Sequence, residues 1–95
     1  MDRELDDADR KRIIALAMSH PEARGVHDLR SRSDGDRRFV EFHLELDSYL
    51  TLATAHHITD MIETRVREAF PRADVLIHQE PAGIADRRLD DEISR

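Results

Sequence analysis

Residues 75–81 read VLIHQEP, a short apolar run that becomes polar towards its end and is stopped by a proline. Successive side chains of an extended strand point to opposite faces, so His78 and Glu80 share one face of this strand. Val75 and Ile77 share the other face and are available to a core. An imidazole beside a carboxylate supplies two of the three or four protein ligands that a zinc-like cation usually takes, so other parts of the chain must supply the rest.

The segment 38–47 repeats the two-residue period over a longer stretch. Its apolar face is formed by Val40, Phe42, Leu44 and Leu46, and its other face by Phe39, Glu41, His43, Glu45 and Asp47. His43 is therefore predicted to point away from the core. Residues 33–36 read SDGD, which is strong turn chemistry, and a strand with a mixed pattern precedes them at 26–32. The two extended segments are predicted to form a β-hairpin.

Two further segments show the spacing of amphipathic helices. The first begins in an acidic stretch, with Asp6 or Asp7 as its N-cap, and runs to about Ser19. Its apolar positions are Ile13, Ile14, Leu16, Ala17 and Met18. The second helix spans about 51–70 and ends before a proline. Its apolar positions are Ala55, Ile58, Ile62, Val66 and Ala69.

The order helix-strand-strand-helix-strand predicts an α+β fold, an open αββαβ sandwich in which both helices cover one face of a three-stranded sheet. The covered face carries the apolar residues of 38–47 and 75–81. The opposite face is left bare, and His43, His78 and Glu80 meet on it because each of them points away from the helices. The sequence therefore predicts a cluster of metal-ligand side chains on an exposed sheet face.

The composition limits the function of the chain. Its 95 residues suffice for one domain, predicted at 1–81, with a tail at 82–95 that is either loose or a short docked helix. The core of so small a domain is thin, and a metal ion or a second subunit would stabilise it.

With 15 basic against 21 acidic residues, the electrostatic footprint of a nucleic-acid-binding protein is missing. The absence of cysteine excludes disulfides and thiolate zinc sites. No apolar stretch approaches the roughly 18 residues of a membrane span and no signal peptide is recognisable, so we expect a cytoplasmic protein without direct membrane insertion.

Five short segments resemble one known family. They read GVHDLR at 25–30, FHLE at 42–45, AH at 55–56, FP at 70–71 and DVLIHQEP at 74–81. These segments look like the C-terminal cytoplasmic domain of cation diffusion facilitators, the cation efflux or zinc transporter family, and the similarity covers about residues 6–81. It is specific because four histidines fall at the metal positions of the family, with elements of the right type and length between them.

The resemblance implies a ferredoxin-like, metallochaperone-like fold and a homodimer. It also implies a binuclear zinc site in each subunit at the dimer interface, formed by His27, His43, His78 and Glu80 of one subunit, with His56 reaching in from the other. Zn2+ is the expected ion, while Cd2+, Co2+, Fe2+ and Mn2+ remain open because imidazole and carboxylate sites accept several cations. The further partner implied is a transmembrane transporter domain or a transporter.

The chain departs from the family pattern in two respects. Glu80 stands where the best-known zinc-transporting members have aspartate, so its carboxylate arm is one methylene longer. The six-helix membrane domain that carries out transport in the family is absent from this sequence. It is left open whether the chain is an excised domain or a natural stand-alone protein.

The remaining histidines and acidic residues have simpler interpretations. Consecutive helical residues point about 100° apart, so only one of His56 and His57 can face a given partner, and His57 is interpreted as a surface residue. His20, at a helix end, is interpreted as a cation favourable to the helix C-terminus. The acidic residues Glu41, Glu45 and Asp47 beside His43 are interpreted as a solvated face that would also lower the electrostatic cost of bringing in a dication.

Three functions remain open. The leading hypothesis is a non-enzymatic dimer that binds zinc or a similar ion between two subunits, senses or buffers cytosolic metal and regulates efflux. The second is a metal-free dimerisation module that pairs through the bare sheet. The third is a metallohydrolase with a metal-bound water as nucleophile, for which the sequence offers no Ser/His/Asp set, phosphate loop or HExxH motif.

Overall fold

The elements follow one another as helix, strand, strand, helix and strand in a computed structural model that describes residues 6–83. They are α1 (Asp7–Ala17), β1 (Ala23–Asp34), β2 (Arg37–Leu46), α2 (Leu52–Ala69) and β3 (Ala73–Pro81). The predicted order is confirmed, although β1 is longer at both ends than predicted and α1 stops short of Ser19. The predicted tail lies outside the described residues from position 84 onwards.

Both helices begin at side chains that cap the backbone. Asp6 Oδ1 accepts a hydrogen bond from the N–H of Asp9 at 2.9 Å, and Thr51 Oγ1 accepts one from the N–H of Thr54 at 3.1 Å. Each bond satisfies a backbone donor that has no partner within the first turn of the helix. Of the two predicted caps of α1, Asp6 is the one used.

The sheet has the strand order β1-β2-β3, with β2 in the centre. β1 and β2 form the predicted antiparallel hairpin, in which Asp34 pairs with Arg37 and Gly35 takes the left-handed φ of 63° that the tight turn requires. β2 and β3 are parallel. A parallel pair needs a crossover connection, and α2 provides it.

One face of the sheet is covered by both helices, as predicted. The buried core contains Val40, Phe42, Leu44 and Leu46 from β2, Ile13 and Ala17 from α1, Ile58, Ile62 and Val66 from α2, and Ala73 and Val75 from β3. The alternate residues of β2 and β3 project from the other face of the sheet. The fold therefore leaves this second face for a site.

A β-bulge explains the mixed pattern of β1. The pairing with β2 shifts register between His27 and Arg30, so that two residues, Asp28 and Leu29, oppose one residue of β2. Asp28 is exposed and has a left-handed φ of 53°, whereas Leu29 packs against the core. His27 and Arg30, three positions apart, consequently lie on the same bare face.

Candidate metal site

The bare face carries a row of three histidines. His43 of β2 pairs with His27 of β1 on one side and with His78 of β3 on the other, so the three lie at the same level of the sheet. The rings of His27 and His43 are stacked with centroids 5.0 Å apart, and those of His43 and His78 are stacked at 4.8 Å. Three imidazoles from three separate segments are thus brought together. We call them the histidine row.

Glu80 lies against two members of the histidine row. Its Oε1 is 2.9 Å from His27 Nε2 and its Oε2 is 3.3 Å from His43 Nδ1, and its side chain is only 11% exposed. His27 Nε2 is buried and makes no hydrogen bond within residues 6–83, although the carboxylate oxygen is so close. A buried ring nitrogen that faces a carboxylate without a hydrogen bond is costly by itself, and the arrangement fits the nitrogen and oxygen donors of a cation site.

Three further carboxylates surround the histidine row. Glu41 Oε2 lies 2.7 Å from His78 Nε2, and Glu45 Oε2 lies 3.4 Å from His27 Nδ1. Asp28 offers a carboxylate oxygen within 4.8 Å of ligand atoms of His27 and His43. Glu41 and Glu45 are partly exposed, and the structure adds that each also contacts a ring of the row, which was not predicted because strand alternation shows the face of a side chain but not its cross-strand neighbour.

The position of Glu45 depends on two glycines. Gly25 lies opposite Glu45 in the sheet, and a Cβ atom at Gly25 would come within 2.8 Å of Glu45 Oε2. The backbone N–H of Gly83 donates to Glu45 Oε1 at 3.0 Å. The missing side chain at Gly25 therefore gives the carboxylate room to lean over β1 towards His27.

The electrostatics of the site favour a cation. Four carboxylates, those of Asp28, Glu41, Glu45 and Glu80, lie around the histidine row and give this face negative charge, which attracts dications. The hydrogen bond with His78 lowers the pKa of the Glu41 carboxyl. This depressed value keeps Glu41 ionised to lower pH, and its contribution to stability is present above the unfolded pKa and lost as the pH falls through the folded pKa.

The histidines outside the row lie elsewhere in the fold. His56 is on α2, its side chain is 71% exposed, and its Nε2 is 3.4 Å from Asp60 Oδ2, so within one chain it does not join the row. Its assignment to the site of a partner subunit stays a prediction. His57 is exposed, as predicted. For His20 the interpretation was wrong, because its Nδ1 accepts a hydrogen bond from the N–H of Glu22 at 3.0 Å and is thus a neutral acceptor in this geometry.

The fold and the histidine row define a small α+β domain that presents imidazole and carboxylate side chains on an open sheet. The family model described as the cytoplasmic domain of cation efflux proteins matches residues 5–82, and the chain belongs to this family. The resemblance seen in the five segments and the predicted cytoplasmic location are thereby confirmed. Within residues 6–83, neither helix is long and apolar enough to span a membrane.

Similar proteins of known name support the same assignment. The cation-efflux pump FieF of Salmonella typhimurium is 42% identical over 87 residues, which are 92% of this chain and 29% of FieF. The chain thus spans less than a third of the length of the curated relatives it matches. The zinc form of CzrB is 36% identical with a TM-score of 0.76, covering 87% of this chain and 96% of CzrB. The cadmium form of a single-substitution variant of the MamM C-terminal domain is 29% identical with a TM-score of 0.72, covering 79% of this chain and 95% of the MamM chain. The predicted ferredoxin-like fold is confirmed by these neighbours.

Proposed function

We propose that this chain binds a divalent cation, zinc in the first place, on the bare face of its sheet through His27, His43, His78 and Glu80. The observation that carries the proposal is the histidine row with the buried His27 Nε2 facing Glu80. Zn2+ takes imidazole nitrogen and carboxylate oxygen ligands, which are the donors present here. The zinc form of CzrB and the cadmium form of MamM support the choice of ion.

A second copy of the chain completes the site in this proposal. The side chains of His27 and His43 are about a quarter exposed and that of His78 is 42% exposed, so the row is open on the side that faces away from the helices. A symmetric dimer uses the same patch twice, so each copy can offer its exposed His56 to the row of the other. The cation then links the two copies.

The function that follows is regulatory and not enzymatic. The domain senses or buffers cytosolic metal and, as part of or beside a transporter of the cation efflux family, adjusts efflux to the amount of metal bound. A ligand shifts an equilibrium between two arrangements only by its differential affinity for them. When a second subunit supplies a ligand, the cation binds the closed arrangement more tightly than the separated one, because the separated arrangement offers fewer donors.

Calorimetric titration of the metal-stripped protein with zinc tests the proposal. Binding without hydrolytic turnover supports it. Absence of binding would leave the metal-free dimerisation module, and hydrolysis that depends on the bound metal would leave the metallohydrolase.

The affinity for zinc is expected to fall as the pH is lowered from about 7.5 to about 5.5. An imidazole must be neutral to coordinate, and its unperturbed pKa is about 6.5, so protons compete with the ion below that pH. Each histidine that must lose a proton to coordinate lowers the zinc affinity by up to about tenfold over this pH interval. The measurement is the same titration at both pH values. Equal affinities at the two pH values would rule out ligation by histidine.

Replacing the residue proposed to cross between subunits should separate binding from closure. His56→Ala is expected to keep part of the zinc affinity, because the other four ligands remain, and to lose most of the compaction that zinc causes in the dimer. Small-angle scattering with and without zinc measures that compaction. His57→Ala is the matched control, since it removes an exposed imidazole one position further along α2. A metal-free dimer already as compact as the zinc-bound one would refute the closure.

A further inference from the structure

The shortest contact between the histidine row and a carboxylate is made by a residue to which the proposed metal site gives no role. Glu41 Oε2 lies 2.7 Å from His78 Nε2, closer than Glu80 or Glu45 approaches the other two rings. An ionised carboxylate only accepts hydrogen bonds. The proton of a neutral His78 ring in this contact is therefore on Nε2, and the lone pair is on Nδ1.

The sheet itself brings Glu41 to His78. Glu41 pairs with Leu76 across β2 and β3, and His78 is the next residue of β3 on the same face. Diagonal neighbours on one face are within reach of long side chains. On its other side Glu41 pairs with Arg30 of β1, a cation that favours its ionised form. The carboxylate is therefore placed by strand register and not by a loop.

We propose that Glu41 is a positioning residue for His78: it accepts the Nε2–H and so turns Nδ1 of His78 towards the cation. This inference rests on the proposed metal site. Histidine ligands commonly donate their second ring N–H to a carboxylate, which fixes the tautomer and orientation of the ring, and loss of such a partner costs about 10–100-fold in metal affinity. His78 lies on an edge strand and stacks on His43 on one side, and the contact with Glu41 adds a second restraint on the orientation of its ring.

Two variants of Glu41 test the role by NMR and calorimetry. In the metal-free protein labelled with nitrogen-15, the Nε2–H proton of His78 should be observable, should disappear in Glu41→Ala, and should persist in Glu41→Gln, whose amide oxygen still accepts. The zinc affinity should fall about 10–100-fold in Glu41→Ala and less than about tenfold in Glu41→Gln. In the zinc-bound wild type, the nitrogen shifts should show His78 bound through Nδ1 with Nε2 protonated.

The control variant is Glu68→Ala, which removes an exposed carboxylate from α2, the helix that covers the opposite face. It should bind zinc like the wild type, so a loss seen only at Glu41 is not a general charge effect. Unchanged affinity in Glu41→Ala, or coordination of His78 through Nε2, would overturn the inference while the metal site stands. Failure of the wild type to bind zinc would instead overturn the proposed function and this inference with it. Circular dichroism verifies that each variant is folded.

Discussion

Replacement of His43 by alanine is expected to lower the zinc affinity by more than about 100-fold, or about 2.8 kcal/mol. His43 is the centre of the row, because its ring stacks on both His27 and His78 and its Nδ1 is 3.3 Å from Glu80. Loss of a residue that only orients a ligand lowers the metal affinity by about 10–100-fold, so loss of the central ligand should lower it further.

The experiment is a titration of His43→Ala with zinc at a pH where the wild type binds. His57→Ala serves again as the control, because it removes an imidazole without touching the row. Affinity of His43→Ala equal to that of the wild type would show that zinc binds elsewhere on the chain, and the proposed site would be abandoned.

Replacement of Phe42 by alanine is expected to lower the free energy of unfolding by about 3–5 kcal/mol, the usual cost of emptying a buried phenylalanine site. Phe42 is fully buried in the centre of the middle strand. The whole domain is expected to have only about 5–15 kcal/mol of stability, so the loss is a large fraction of it. The measurement is denaturant unfolding in the presence of a chelator at fixed protein concentration, since bound metal and dimerisation both change apparent stability.

Phe39→Ala is the matched control on the same strand. Phe39 projects from the bare face, where the guanidinium of Arg32 lies 5.0 Å from the centre of its ring. Removal of that contact should cost about 1 kcal/mol at most. Equal losses for the two variants would contradict the assignment of the core to the helix-covered face.

The alternation of apolar and polar residues along the strands was sufficient to predict much of the fold and the sheet face on which each site residue lies. The two-residue period of β2 and β3 assigns His43, His78 and Glu80 to one face because the backbone alternates whatever the neighbours are. The same rule separates Phe42 from His43, so that one strand serves both the core and the site. The helices were equally predictable from their apolar spacing, and the first also from its acidic N-cap.

The contacts between strands were not readable in the same way. His43 and His78 lie at the same level of the sheet because of the register of the parallel strands β2 and β3. That register depends on how α2, which connects the two strands, packs against the sheet. The contacts of Glu41 with His78 and of Glu45 with His27 follow from register as well. Asp28 was missed because its place beside the row depends on a bulge that residue types alone do not reveal. The contribution of His56 stays a prediction, since it concerns a second copy.

The extra residue at 28–29 reverses the numbering parity of β1. From Gly25 to His27 the odd-numbered residues face the open side, and from Arg30 onwards the even-numbered ones do, so the part of the strand that carries His27 and the part that enters the hairpin have opposite parity. A regular strand with one residue fewer between His27 and Arg30 would keep the same parity along its length, and it would still place His27 and Arg30 on the open side. The histidine row is thus compatible with two lengths of β1, and related chains one residue shorter at this point can present the same three imidazoles at the same level of the sheet.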